Sequence, residues 1–137
     1  MSEADQIADA RRWLRYAEED LTLAEDLVER WRSGPRHACW LAQQAAEKAL
    51  KAVLVLVQTD FPKTHDLDML RRLLPQDCSV RTEPADVADL TEWAVEARYP
   101  GDWPEATLSD ARRAVGVAKQ VLAMTRQDLA AHGLPMG

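Results

Sequence analysis

Apolar residues recur along the first thirty positions in steps of three and four: Ile7, Ala10, Leu14, Ala17, Leu21, Ala24, Val28 and Trp31. That spacing places them on one face of an α-helix. Trp13, Leu23 and Leu27 widen the stripe, and the pattern predicts a helix from about Ser2 or Asp5 to Trp31. Branched residues alternate with alanines along the seam. A neighbouring helix can approach over the small residues while the large ones fill the space beside them. Ser33-Gly34-Pro35 stops this helix, and Pro35 suits the first turn of the next. So short a link predicts antiparallel neighbours.

The second helix is expected from about Pro35 to Gln58, with one stripe of Ala38, Ala42, Ala45, Ala49, Ala52 and Leu56. A second stripe, Leu41, Ala46, Leu50, Val53 and Val57, makes its C-terminal half apolar nearly all round. That predicts the most buried helix of the set. Glu47 and Lys51 stand in the favourable order for an ion pair one turn apart. A loop containing Phe61-Pro62 follows. A short helix from about Asp66 to Leu74 turns Leu67, Leu70 and Leu74 inward, with Thr64 or His65 near its N-cap and Pro75 at its end. Residues Gln76 to Val80 are expected as loop. Thr82 suits the cap of a fourth helix running to about Arg98, burying Val87, Leu90, Ala94 and Trp93. Tyr99-Pro100-Gly101 breaks it.

Thr107 and Asp110 resemble a capping box. They open a last helix, about Ser109 to Ala131, whose core stripe is Ala111, Val115, Ala118 and Leu122. Gly116 in mid-helix costs about 1 kcal/mol relative to Ala, and close contact with a neighbouring helix is its expected reason. Gly133 and Pro135 terminate the element. The whole chain, residues 1–137, is expected to form one all-α domain, without internal repeats or low-complexity stretches.

Composition narrows the function classes. With 47% apolar residues the chain has the material for a core. Its net charge of −6 argues against a protein that coats double-stranded DNA, which needs a broad basic surface. The N-terminus is acidic and has no apolar core, unlike a signal peptide. The longest apolar run, Ala52 to Val57, falls far short of the ~20 residues of a membrane span. A soluble cytoplasmic protein is expected. Cys39 and Cys78 lie far apart and outside any CxxC, so two reduced thiols are expected. No metal-ligand spacing appears, and no metal or cofactor is expected. P-loop, GxGxxG, GxSxG and HExxH motifs are all absent from the sequence.

Four segments carry a family resemblance: Ala42 to Ala52 (AQQAAEKALKA), Thr64 to Leu67 (THDL), Ala97 to Gly101 (ARYPG) and Ser109 to Leu122. In this order and spacing the chain resembles the HEPN domains over nearly its whole length. The resemblance implies an up-and-down bundle of four long helices plus one short helix, and a homodimer. It also implies a role as partner of a minimal nucleotidyltransferase, often in toxin–antitoxin-like pairs, with binding of a nucleotide of the ATP or GTP class. One branch of the family consists of metal-independent ribonucleases marked by an Arg followed about four to six residues on by a His. Arg98 matches the Arg, but Asp102, Trp103 and Pro104 occupy the positions of the His. An Arg is a poor base, because its pKa lies above about 12. The sequence therefore favours a non-catalytic binding domain. The alternatives are an endoribonuclease using Arg98 with His65, and a dimerisation scaffold without a small ligand.

The candidate ligand-binding residues are His65, Arg98, Tyr99, Lys63, Lys48, Lys51 and Trp103. Arg98 suits either a tie to helix-end carbonyls or a clamp on a phosphate. His65 suits either a local cap or a donor to a phosphate lying over open N–H groups at the start of the short helix. Lys48 and Lys51 suit a solvated face, or the cations of a nucleotide groove joined by Lys63. Trp103, in a polar loop, suits base stacking or a dimer contact, and Trp40 suits either the core or such a surface.

Overall fold

A computed structural model describes residues 2–82, 87–96, 101 and 104–135. Among them all regular structure is helical. Helix α1 spans Glu3–Asp26 and continues as a π-helical segment, Leu27–Trp31. Helix α2 spans Pro35–Leu56, α3 Leu67–Arg72, α4 Ser79–Thr82, α5 Val87–Glu96 and α6 Leu108–Ala131.

Helix α1 starts from a capping box: the Ser2 hydroxyl accepts from the Asp5 N–H at 3.1 Å, and the Asp5 carboxylate faces the Ser2 N–H in return. Ala10, Leu14, Ala17, Leu21, Ala24 and Val28 are buried as the periodicity expects. Trp31 and Leu23 are not: they are 65% and 52% exposed. The wider π turn puts an extra residue into the last turn, which rotates Trp31 away from the seam. Leu23 lies too far round the helix from the Leu14–Leu21 line to reach the core. Arg32 and Gly34 both take left-handed backbone conformations, φ 48° and 61°, and reverse the chain into Pro35.

Helix α2 is the centre of the bundle, packing against α1, α3, α5 and α6. Twelve of its 22 residues are buried, against six of 24 in α1, which fits its two-stripe pattern. It closes at Gln58, φ 60°, where the Thr59 N–H reaches the Leu54 carbonyl at 2.9 Å. This is the left-handed cap that Gly more often supplies.

Helix α6 lies antiparallel to α1. Glu25 pairs with Lys119, Glu18 with Arg126, and Arg11 donates to the Pro135 carbonyl, so position falls along α1 as it rises along α6. The Thr107–Asp110 capping box opens α6, with bonds of 2.9 and 3.1 Å. Gly116 is exposed, and a Cβ built on it meets no atom within 4 Å. Close helix contact therefore does not account for it.

The stretch expected as loop at Gln76 to Val80 holds the start of α4. Asp128 of α6 caps this turn from outside: its carboxylate accepts from the Ser79 N–H at 2.8 Å, the Ser79 hydroxyl at 3.0 Å and the Val80 N–H at 3.3 Å. Thr82, expected to cap the fourth helix, instead ends α4. The described part of that fourth helix is α5, which buries Val87, Leu90 and Ala94 and half-buries Trp93. Neither Cys39 nor Cys78 is in a disulfide, and both are buried. No described helix is long and apolar enough to cross a membrane.

Candidate functional site

The 3.6-residue pitch of α2 stacks Gln43, Glu47 and Lys51 in one line. This line meets the loop leading into α3, and Glu47, only 5% exposed, is where the two elements join. Its Oε1 lies 2.7 Å from Nδ1 of His65 and its Oε2 2.9 Å from Nζ of Lys51. The Gln43 amide donates both to Glu47 Oε1, at 3.2 Å, and to the His65 backbone carbonyl, at 3.1 Å. Gln44 in turn donates to Gln43 at 2.7 Å. The His65 ring is thus held at its side chain and at its backbone. The Trp40 ring packs against it edge-on, 6.2 Å between centroids.

Burial by itself would raise the Glu47 carboxyl's pKa. Hydrogen bonds from His65, Lys51 and Gln43, with the Lys51 charge, outweigh burial and hold the pKa below the ordinary carboxylate value. Glu47 is accordingly an anion within the protein, and its partners are arranged around that charge.

The four candidate cations of this region separate into different roles. Lys51 is not on a solvated face: its side chain is 12% exposed, and its ammonium sits between the Trp13 and Phe61 rings, 5.6 and 5.5 Å from their centroids. Lys48 points elsewhere and pairs with Asp20 of α1 at 2.5 Å. Lys63 is exposed on the loop beside His65, with no ion-pair partner among the described residues. His65 is part-exposed and shares Glu47 with Lys51. The structure therefore brings His65 and Lys51 together through Glu47 and places Lys48 in a separate pair. Arg98, Tyr99 and Trp103 lie outside the described residues.

The start of α3 differs from the expected anion seat. The cap is Asp66, not Thr64 or His65, and its carboxylate takes the N–H groups of Asp68 and Met69 at 3.1 and 3.2 Å. The Leu67 N–H donates to the Thr91 hydroxyl of α5 at 3.1 Å. These donors are already engaged, so an anion at this end would have to be met by side chains. The same Thr91 bond ties α5 to the residue two positions after His65.

Glu47 and Gln43 are not among the sequence candidates for the site, and for Trp40 the sequence leaves open a core or a surface role. The 43–47–51 spacing signals one helical line, but nothing local shows that a loop histidine closes onto it. A further cleft of about 270 Å³ lies between α5 and α6. Asp89, Glu92, Glu105 and Asp110 line it with Arg113, an acidic surround that repels phosphate.

The sequence model of the HEPN domain family matches residues 10–128. Among solved structures, TT1696 from Thermus thermophilus is similar at 30% identity, covering 88% of this chain and 98% of that one, with a TM-score of 0.75. ST0689, described as an archaeal HEPN homologue, is similar at 25% identity over 88% of this chain and 97% of that one, with a TM-score of 0.68. A search of curated proteins finds no match.

Proposed function

Because the chain belongs to the HEPN domain family, we propose that it is a non-catalytic binding domain for a nucleotide, alone or presented by a minimal nucleotidyltransferase partner. The observation that carries this is the anchoring of His65 by buried Glu47 at 2.7 Å. With Nδ1 turned to the carboxylate, the exposed part of the ring, in a side chain 41% exposed, is what a ligand would meet. The ring's orientation is set before binding, so little entropy is lost when a phosphate is engaged. Lys51 cancels the Glu47 charge, which would otherwise repel a phosphate beside His65. Lys63, two residues before His65, and Arg98, two residues beyond the end of α5, supply the charge for the anion; Tyr99 and Trp103 supply rings for a base. Lys48 and Lys51 hold the frame and do not contact the ligand. A homodimer and a toxin–antitoxin-like pairing accord with the family and belong to this proposal.

Calorimetric titration of the full chain with ATP and GTP tests it. Heat of binding is expected, with loss in His65→Ala and in Arg98→Ala while helical circular dichroism is kept. Absence of heat together with a tight protein complex would favour a scaffold without small ligand.

One observation favours a second reading, an endoribonuclease. A carboxylate-held imidazole is the arrangement of a general base, worth about 10²–10⁴-fold in rate, and Arg98 would stabilise the phosphorane-like state. It requires RNA cleavage in the presence of chelator that both His65→Ala and Arg98→Ala abolish.

A further inference from the structure

We propose that Asp77, Cys78 and His132 form a binding site for a borderline divalent transition ion of the zinc class. His132 caps the C-terminal end of α6, and Asp77 and Cys78 immediately precede α4. Although 54 residues separate Cys78 from His132, a single atom, His132 Nε2, faces both partners: Cys78 Sγ at 3.8 Å and Asp77 Oδ1 at 3.2 Å. One ligand atom from each residue lies within 4.8 Å of the others.

These separations match what a tetrahedral ion demands. Bonds of about 2.0–2.1 Å to nitrogen or oxygen and about 2.3 Å to sulfur, at tetrahedral angles, put N and S about 3.6 Å apart and N and O about 3.3 Å apart. The donor set also selects the ion. One imidazole, one thiolate and one carboxylate suit zinc or cobalt(II), whereas calcium and magnesium require oxygen ligands. Cys78 is buried, His132 is mostly buried and Asp77 is well exposed. The site therefore has a protected sulfur on one side and solvent on the other, leaving the fourth position for water.

The Asp77 and Asp128 carboxylates both act on the Cys78 sulfur, and their negative field favours a cation there. Because the ligands come from segments far apart in the chain, the ion binds the folded state alone and clasps the end of α6 to the turn before α4.

The test uses untagged, chelator-treated full-length protein titrated with cobalt(II). One equivalent is expected to bring up visible bands of tetrahedral intensity with a thiolate-to-cobalt charge-transfer absorption, and zinc to displace them. Cys78→Ser removes the charge-transfer band, and Cys39→Ser, in α2, leaves it unchanged. His132→Gln and Asp77→Asn, neither of them a core position, each weaken binding at least about tenfold. Zinc raises the wild-type melting temperature and leaves that of His132→Gln where it was. Absence of the charge-transfer band in wild type, its survival in Cys78→Ser, or wild-type affinity in His132→Gln would each overturn the site.

Discussion

Glu47 Oε1 lies 2.7 Å from His65 Nδ1, and this contact joins the middle of α2 to a loop eighteen residues further on. Everything proposed for the imidazole depends on that carboxylate being charged and fixed. Removing it should disturb stability and binding together.

Glu47→Ala leaves the mostly buried Lys51 ammonium without its counter-charge and frees the His65 ring. Breaking a buried pair from one side costs about 3–5 kcal/mol. Asp20→Ala breaks the more exposed Lys48 pair and should cost about 1 kcal/mol or less. Urea denaturation of both variants checks the contrast. Equal losses would mean that Glu47 is not the organising charge.

The lowered pKa of Glu47 makes stability depend on pH with a definite sign. Its folded-state value is below its unfolded value. Its contribution is therefore complete above the ordinary carboxylate range and disappears as pH falls through the folded value. Between about pH 6 and about pH 3, wild type should lose stability more steeply than Glu47→Gln. Parallel curves for the two proteins would refute the assignment.

Gly116→Ala should stabilise the protein. The glycine is exposed in the middle of α6, and the added methyl meets nothing within 4 Å. Helix propensity predicts a gain of about 0.5–1 kcal/mol, seen as a melting temperature raised by a few degrees. A lower melting temperature would show that this surface is covered in solution.

Asp128→Ala should loosen α4. Three donors lose their acceptor, including the N–H of Val80, a residue with no exposed surface. An unsatisfied buried donor costs about 1–3 kcal/mol, and Asp128→Asn should recover part of it. Hydrogen exchange at Ser79 and Val80 should accelerate in the alanine variant while α1 and α2 keep their protection. Unchanged exchange would show that the turn holds without its cap.

The sequence by itself determined the features that act within one helical turn. The Thr107–Asp110 capping box, the Glu47–Lys51 pair, the Gly34-Pro35 entry to α2 and the buried line Ala10–Leu14–Ala17–Leu21–Ala24 follow from the 3.6-residue pitch, and all are present. The Ser2–Asp5 box at the expected start of α1 obeys the same local geometry. Trp31 was misplaced because a π turn breaks that pitch.

Only the tertiary structure decided the contacts that cross between elements. Nothing local brings His65 onto Glu47, Asp128 onto the start of α4, or His132 onto Cys78 and Asp77. Each joins residues 18 to 55 positions apart. Their meeting depends on where α2 crosses α3 and where α6 passes α4. Those crossings are set by how all the apolar faces pack at once, which no single stripe specifies. For that reason the long helices are legible from periodicity, while the short α4 and the partners of the site's charged groups are not.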